Sequence, residues 1–356
     1  MSGAKVNNEG YCAACYFRTI AKYPSKKCLI QLTERCNLHC EHCFVSAECD
    51  GEILDFDKFQ KHIVPQLVRN NVKKVTLTGG EPFVYPKLID VIRALDDRDI
   101  DICICTNATL ITRDFLVQIK NCKNIHFNVS LDGFSEASHG VFRGNNNPKV
   151  FQTIIRNIEL LGEMRLLNGI LVTPNIYAKI EEYEKICEFA KKNYAKYVLM
   201  NPLSEFGRGE KNIKLAMGNT QMEKIRDSTQ KYSDDEMEVI YIRFPNKENK
   251  PLSKCVAGKI MYIFTSGDIA YCPYLVFASG DKDSLYSRED FIIGNIFDTD
   301  FDWEEKLEKY RLPLGDKEVC IDCNERMCQK GCYAARISKG KLLSESDEEL
   351  CPILKK

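Results

Sequence analysis

Cys36, Cys40 and Cys43 put three thiolates within eight residues, with three residues and then two between them. They follow directly on an apolar run, Cys28 to Thr33, that reads as a strand. Three soft ligands fall one short of a closed structural site, because structural zinc takes four and a four-iron cluster has four corners. A cluster held at three corners keeps one iron for a ligand that is not protein, and chemistry can occur there. The same spacing also admits a zinc site completed by His39 or His42.

A second array lies far along the chain: Cys255, Cys272, Cys320, Cys323, Cys328, Cys332 and Cys351. Seven such residues are not explained by core packing, and paired gaps of two and three residues are metal-binding gaps. They suit two iron–sulfur clusters, one with four ligands and one with three; two zinc sites are the alternative. Cys12 and Cys15 share a metal-type gap without a second pair nearby and are read as irrelevant to catalysis. Cys28, Cys103, Cys105, Cys122 and Cys187 sit in apolar or helical runs and read as buried thiols acting as small hydrophobes. Cys49 reads as an accidental neighbour of the first loop, and His62, His126 and His139 as structural.

These residues need a scaffold, and 356 residues that are 44% hydrophobic can bury a large core. Fifty basic and 51 acidic residues give a net charge of −1, with no charged arm for nucleic acid. No segment approaches the ~18 apolar residues of a membrane span, and the N-terminus lacks a signal-peptide core. Eighteen cysteines in so long a chain fit metal–sulfur chemistry better than a disulfide scaffold, which is short and core-poor. The expectation is a soluble cytoplasmic protein with neither membrane nor nucleic-acid partners.

Six apolar runs predict buried parallel strands: Cys28 to Thr33, Lys74 to Thr78, Ile100 to Thr106, Ile125 to Leu131, Gly169 to Thr173 and Tyr197 to Asn201. Amphipathic stretches between them read as helices, so an α/β fold is expected, with a parallel sheet curled into a partial (β/α)6 TIM-like barrel. Loops leaving the strand C-termini form the active face of such folds. The cluster loop, residues 78–82, Thr106 with Asn107, and residues 130–133 all leave strands there. A boundary is expected near 245, giving an N-terminal segment 1–27, a barrel 28–245 and a cysteine-rich unit 246–356. In that unit Lys259 to Thr265 and Ile269 to Leu275 predict a β-hairpin around Gly267. Gly207 to Gly209 reads as a loop turn, and Trp303 among acidic residues as a solvated helix start.

The three-cysteine loop, Gly79-Gly80-Glu81-Pro82, Ser130 with Asp132 and Gly133, and Phe142-Arg143-Gly144 together resemble the radical S-adenosylmethionine (SAM) enzymes. The C-terminal array, with Gly267 five positions before Cys272, resembles their SPASM extension, and the likeness runs from about Cys28 to Cys351. It implies that Cys36, Cys40 and Cys43 hold a [4Fe-4S] cluster whose open iron chelates SAM. His42 would lie near the adenine, and Gly79, Gly80 and Glu81 would meet the methionine amino group. Ser130 and Arg143 would bind ribose and carboxylate with Thr106 and Asn107 nearby, and Val172 would give adenine a backbone contact. Cys320, Cys323, Cys328 and Cys351 would hold one auxiliary [4Fe-4S] cluster. Cys255, Cys272 and Cys332 would hold the other, with one corner open or held by a non-cysteine ligand.

Two features depart from the family pattern. Four residues rather than five separate Cys323 from Cys328. Pro273 follows Cys272 where relatives that oxidise sulfatase cysteine or serine carry Asp as a base, which argues against that activity. The resemblance implies reductive cleavage of SAM to a 5′-deoxyadenosyl radical and oxidative modification of a peptide, by crosslink, thioether or dehydrogenation. A small molecule or cofactor precursor such as a tetrapyrrole is the alternative substrate, and a non-catalytic metal scaffold the third reading. The reductant would be a flavodoxin or ferredoxin. With the barrel starting near Cys28, leader recognition is expected from a separate protein.

Overall fold

The computed structural model describes residues 4–5, 10–17, 19–145, 147–280, 284–314, 323 and 327–354. Six parallel strands stand where the apolar runs put them: β1 (Lys26–Thr33), β2 (Val72–Gly79), β3 (Asp101–Thr106), β4 (Ile125–Ser130), β5 (Leu167–Val172) and β6 (Tyr197–Met200). They pair in sequence order, and a seventh parallel strand, β7 (Glu238–Tyr241), adds beyond β6. Cys28, Ile30, Leu32, Val75, Leu77, Ile102, Ile104, Phe127, Val129 and Ile170 are almost wholly buried in the main core, as central parallel strands require.

The C-terminal hairpin continues this sheet. β8 (Ile260–Ile263) runs parallel to β1, and β9 (Asp268–Ala270) and β10 (Ile292–Asn295) follow antiparallel. In the order β10-β9-β8-β1-β2-β3-β4-β5-β6-β7 the two end strands do not pair with each other among the described residues, so the sheet is an open, partial barrel rather than a closed one. The hairpin's second strand is shorter than expected. It ends at Ala270, and Pro273–Ser279 is a helix with Pro273 in its first turn, where the missing N–H costs no hydrogen bond. Trp303 does start a helix, Trp303–Lys309, with Asp302 as its cap. It is buried in the main core, however, not solvated, and the acidic residues around it face outward.

Helices cover the sheet: Leu88–Asp96 after β2, Arg113–Gln118 after β3, Pro148–Glu163 after β4 and Ile180–Lys192 after β5. The last carries Tyr183, Ile186, Cys187, Phe189 and Ala190 inward, a helical stripe against the strands. Among the described residues no helix is long and apolar enough to cross a membrane.

Candidate radical and auxiliary cluster sites

The loop after β1 is fixed from three sides. From beneath, Gly80 donates its N–H to the Thr33 carbonyl (2.7 Å) and Glu81 to that of Arg35 (2.9 Å). A Cβ on Gly79 would stand 2.2 Å from the Thr33 oxygen, and one on Gly80 2.2 Å from the Arg35 oxygen. The glycine pair is thus demanded by close approach of the cluster loop's own backbone. From the β4 side, the Glu41 N–H meets the Phe142 carbonyl (3.3 Å), and Gly144, at φ 68°, lies where a Cβ would strike the His39 carbonyl.

From the β6 side comes Arg208, expected in a loop turn and found at the start of a short helix, Arg208–Lys211. Its Nε–H donates to the Cys40 carbonyl (2.8 Å), and its Nη1 donates to the carbonyl of Ala47 (2.9 Å) and to Glu48 Oε1 (2.8 Å). Its own N–H reaches the Cys43 carbonyl, and Gly207 at φ 63° packs on Phe44. The turn expected at 207–209 is therefore a clamp on the cysteine loop.

Cys40 is buried, and Cys36 and Cys43 are half-buried. Burial pushes the Cys40 thiol up to about 12; Arg143 opposes this, while Cys43 and Cys36 add to it. Cys36 is raised too, by burial first, with Glu81 and Cys43 adding to it, although the Leu38 N–H points at its sulfur. Three thiols that repel one another beneath a guanidinium form a donor set suited to a cationic cluster, which would deprotonate them. Of the two histidines that could complete a zinc site, His39 is turned to Glu48, whereas His42 keeps a buried Nδ1 with no hydrogen-bond partner among the described residues. His39 Nδ1 sits 3.1 Å from Glu48, and His42 stacks on Phe142 (4.0 Å between centroids, 4° between planes) with Nε2 3.6 Å from Asp132. Burial pulls the His42 imidazole down to about 4, so it is neutral at physiological pH. Among the described residues no three His, Cys, Asp or Glu are grouped so as to hold a single metal ion.

Glu81, almost fully buried, ties the second loop to the third. It accepts from Thr106 Oγ1 (2.7 Å), the Asn107 N–H (2.7 Å) and the Phe83 N–H (3.1 Å). Burial pushes its carboxyl up to about 7 against these three donors. Asn107 Nδ2 then donates to Asn37 Oδ1 (3.0 Å), returning the network to the cysteine loop. Asp132 is the second buried node. Arg143 Nε donates to it (2.7 Å), as does the Thr173 N–H (2.7 Å). Burial works against both charges, but the pair outweighs it: Asp132 is held below the usual carboxylate range and Arg143 above its own. Ser130 ends β4 at the same rim. Val172 ends β5 with its side chain buried and its carbonyl taken by the Asn201 N–H (2.9 Å).

The second array divides in two. Cys323, Cys328 and Cys351 line one cavity with Asp347 and Lys330, and the Leu252 N–H points at the Cys328 sulfur (3.4 Å). Cys320 lies outside the described residues. Cys272 and Cys332 are buried in a separate apolar cluster beside Val256, the neighbour of Cys255. The Cys12–Cys15 pair, expected to stand apart from the chemistry, is drawn into both regions: Cys12 packs near Cys328, and Cys15 near Cys272 and Cys332. An aromatic chain spans the gap to the first loop. Phe44, next to Cys43, meets Tyr274 (5.7 Å) and Phe277 (5.5 Å), and Tyr274 meets Tyr16 (4.7 Å).

Residues 30–191 match the sequence model of the Radical SAM superfamily. AlbA of Bacillus subtilis, an antilisterial bacteriocin subtilosin biosynthesis protein, is 28% identical over 272 residues, which are 75% of this chain and 56% of AlbA. The chain thus aligns with little more than half of that relative's length. An AdoMet-dependent heme synthase of Methanosarcina barkeri is 25% identical over 322 residues, 83% of this chain and 90% of the synthase. Among solved structures, Streptococcus suis SuiB bound to its precursor peptide SuiA superposes with a TM-score of 0.69 at 20% identity, over 93% of this chain and 76% of SuiB. Residues 30–191 thus carry a Radical SAM match, and the chain as a whole shares its fold with SuiB.

Proposed function

We propose that the chain is a radical SAM oxidoreductase that modifies a peptide oxidatively, forming a crosslink, a thioether or a double bond. The observation that carries this reading is the three-thiol loop itself, seated after β1 by the Gly80 and Glu81 amides and by Arg208. When bound, a four-iron cluster and SAM supply one-electron cleavage of a carbon–sulfur bond and a 5′-deoxyadenosyl radical that takes a hydrogen atom from an unactivated carbon.

The protein's part is positioning and charge. Cys36, Cys40 and Cys43 would hold three irons. Arg143 has its Nε–H on Asp132, and its Nη edge makes no hydrogen bond among the described residues, so it suits the SAM carboxylate. Glu81, with a carboxyl near neutrality, would share charge with the SAM amino group. Thr106 and Asn107 are committed to Glu81 and Asn37 and would act by holding that acid in place. His42, Gly79, Gly80, Ser130 and Val172 would complete the walls. The C-terminal cysteines would hold two auxiliary clusters. A substrate radical left by hydrogen abstraction would form its new bond while one electron leaves to an auxiliary cluster and one proton to a base. The aromatic contacts from Phe44 to Tyr16 would line the path between these centres. A flavodoxin or ferredoxin would deliver the initiating electron.

AlbA and the SuiB–SuiA complex support a peptide substrate. The alignment with 90% of the heme synthase supports a second reading, tailoring of a tetrapyrrole-like cofactor precursor. The two separate in one experiment: protein reduced with dithionite is given SAM and either short precursor peptides encoded beside its gene or a tetrapyrrole. A peptide product lighter by two hydrogen atoms, with 5′-deoxyadenosine in equal amount, supports the first reading. Conversion of the tetrapyrrole alone overturns it in favour of the second.

A further inference from the structure

The segment ahead of the barrel is stitched to the C-terminal unit by its backbone. Cys12 donates its N–H to the Pro251 carbonyl (2.9 Å), and Ser253 donates back to the Cys12 carbonyl (2.9 Å). The Ala14 N–H meets Ser253 Oγ (3.0 Å), a contact spanning 239 residues of sequence. Arg243 donates its N–H to the Ala13 carbonyl (2.7 Å), while its guanidinium is held by both oxygens of buried Asp347 (2.6 and 3.1 Å). A Cβ on Gly331, the residue before Cys332, would touch Ala14 at 3.5 Å. These contacts leave little freedom in where Cys15 stands.

We infer that Cys15 is the fourth ligand of the iron–sulfur cluster held by Cys255, Cys272 and Cys332, so that every corner of that cluster is capped by protein sulfur. This rests on the reading of the C-terminal array as a cluster site.

Three observations carry the assignment. Cys15, Cys272 and Cys332 are 3, 6 and 4% exposed and share one apolar cluster with Val256. The sulfurs are linked through neighbouring amides: Cys15 accepts from the Val256 N–H, next to Cys255, and Cys255 accepts from the Tyr333 N–H, next to Cys332. Amides aimed at sulfur stabilise thiolates and tune a cluster, and packing alone does not call for them. Finally, Cys15 lies within electrostatic reach of all three others.

The inference departs from the expectation of an open or non-cysteine corner. The Cys255/Cys272/Cys332 cluster has no open or non-cysteine corner and cannot ligate a substrate thiolate; it serves as an electron carrier. Tyr16, directly after Cys15, and Tyr274, two residues after Cys272, touch at 4.7 Å at the start of the aromatic chain toward Phe44.

The test uses the full chain carrying Cys36→Ala, Cys40→Ala and Cys43→Ala, purified anaerobically, so that only auxiliary iron is counted. The parent should hold about eight irons, the content of two four-iron clusters. Adding Cys15→Ser should lower this to about four, or keep the cluster with altered g values in the reduced EPR spectrum and a further shift on adding cyanide. Cys122→Ser, in a half-buried position away from both arrays, should change neither. Should Cys15→Ser reduce the yield of folded protein, Cys15→His supplies a ligand atom on the same backbone and should retain iron with shifted g values. Unchanged iron, g values and cyanide response in the Cys15 variants overturn the assignment. A parent that carries zinc, or no iron at all, overturns the cluster reading beneath it instead.

Discussion

Replacing Arg208 by Met keeps the length and apolar stem of the side chain and removes only its donors. Two of its hydrogen bonds go to the carbonyls of Cys40 and Ala47, both on buried residues, and a third goes to Glu48, whose side chain is 52% exposed. A bond from a charged donor to a buried acceptor contributes roughly 1.5–3 kcal/mol, whereas a solvent-facing ion pair contributes about 0–1. Loosening lets water reach the abandoned carbonyls, so the lower end applies, and the loop from 36 to 48 should lose about 3 kcal/mol. That is on the order of a hundredfold more frequent local opening, without global unfolding. Amide hydrogen exchange resolved to the loop reads this directly: peptides from 36–48 should exchange about a hundredfold faster, while those from β2 to β5 stay protected. Iron at the first site should fall in parallel, with auxiliary iron unchanged. Arg208→Lys should fail to rescue, because a single ammonium cannot span the divergent acceptors of the guanidinium fork. Loop exchange within threefold of wild type would refute the clamp.

Other perturbations follow from the same geometry. Gly80→Ala drives a Cβ to within 2.2 Å of the Arg35 oxygen, a backbone atom that cannot swing aside, and should cost ~1–3 kcal/mol; an unchanged melting midpoint would contradict this. Glu81 has a folded-state carboxyl raised from 4.5 to about 7, so its contribution to stability is full below 4.5 and is lost as pH rises through about 7. The stability of wild type relative to Glu81→Gln should therefore fall between about pH 5 and 7; a flat difference would show that the three donors already offset burial. Arg243→Met leaves Asp347 buried and unpaired and should cost ~3–5 kcal/mol. Adding Asp347→Leu should recover part of that, and strict additivity in the double-mutant cycle would argue against the pair. Asp347 is held below 3.8, so what the pair contributes is present above that pH and lost as pH falls through the depressed value.

The strands were legible because a sheet buried on both faces writes itself as continuous runs of Val, Ile, Leu and Phe. The three-thiol loop was legible as a candidate site because its spacing is local. What escaped was what depends on contacts across the chain. Cys15 shows a metal-type gap only to Cys12, yet its partners begin at Cys255, and no spacing rule connects them. Arg208 is one arginine in a Gly-flanked turn; its role appears only once the fold brings the carbonyls of Cys40 and Ala47 beside it. Asp132 stood inside a motif, but its bond to Arg143 had to be seen to reveal it as the node of the site. The apolar run after Cys272 was read as strand because Tyr274 and Leu275 look alike in either state; Pro273 at its head was the overlooked signal for a helix. Trp303 was misjudged because its acidic neighbours dominate a short window.

Iron content and SAM cleavage together decide whether the three-thiol loop holds a cluster that cleaves SAM. Protein purified without oxygen, reduced with dithionite and given SAM should contain about twelve irons with matching sulfide, the sum of three four-iron clusters, and should release 5′-deoxyadenosine. The variant with Cys36, Cys40 and Cys43 all changed to Ala should lose about four of those irons and all of the cleavage. Cleavage that persists in that variant, or zinc in place of iron in the wild type, would contradict it.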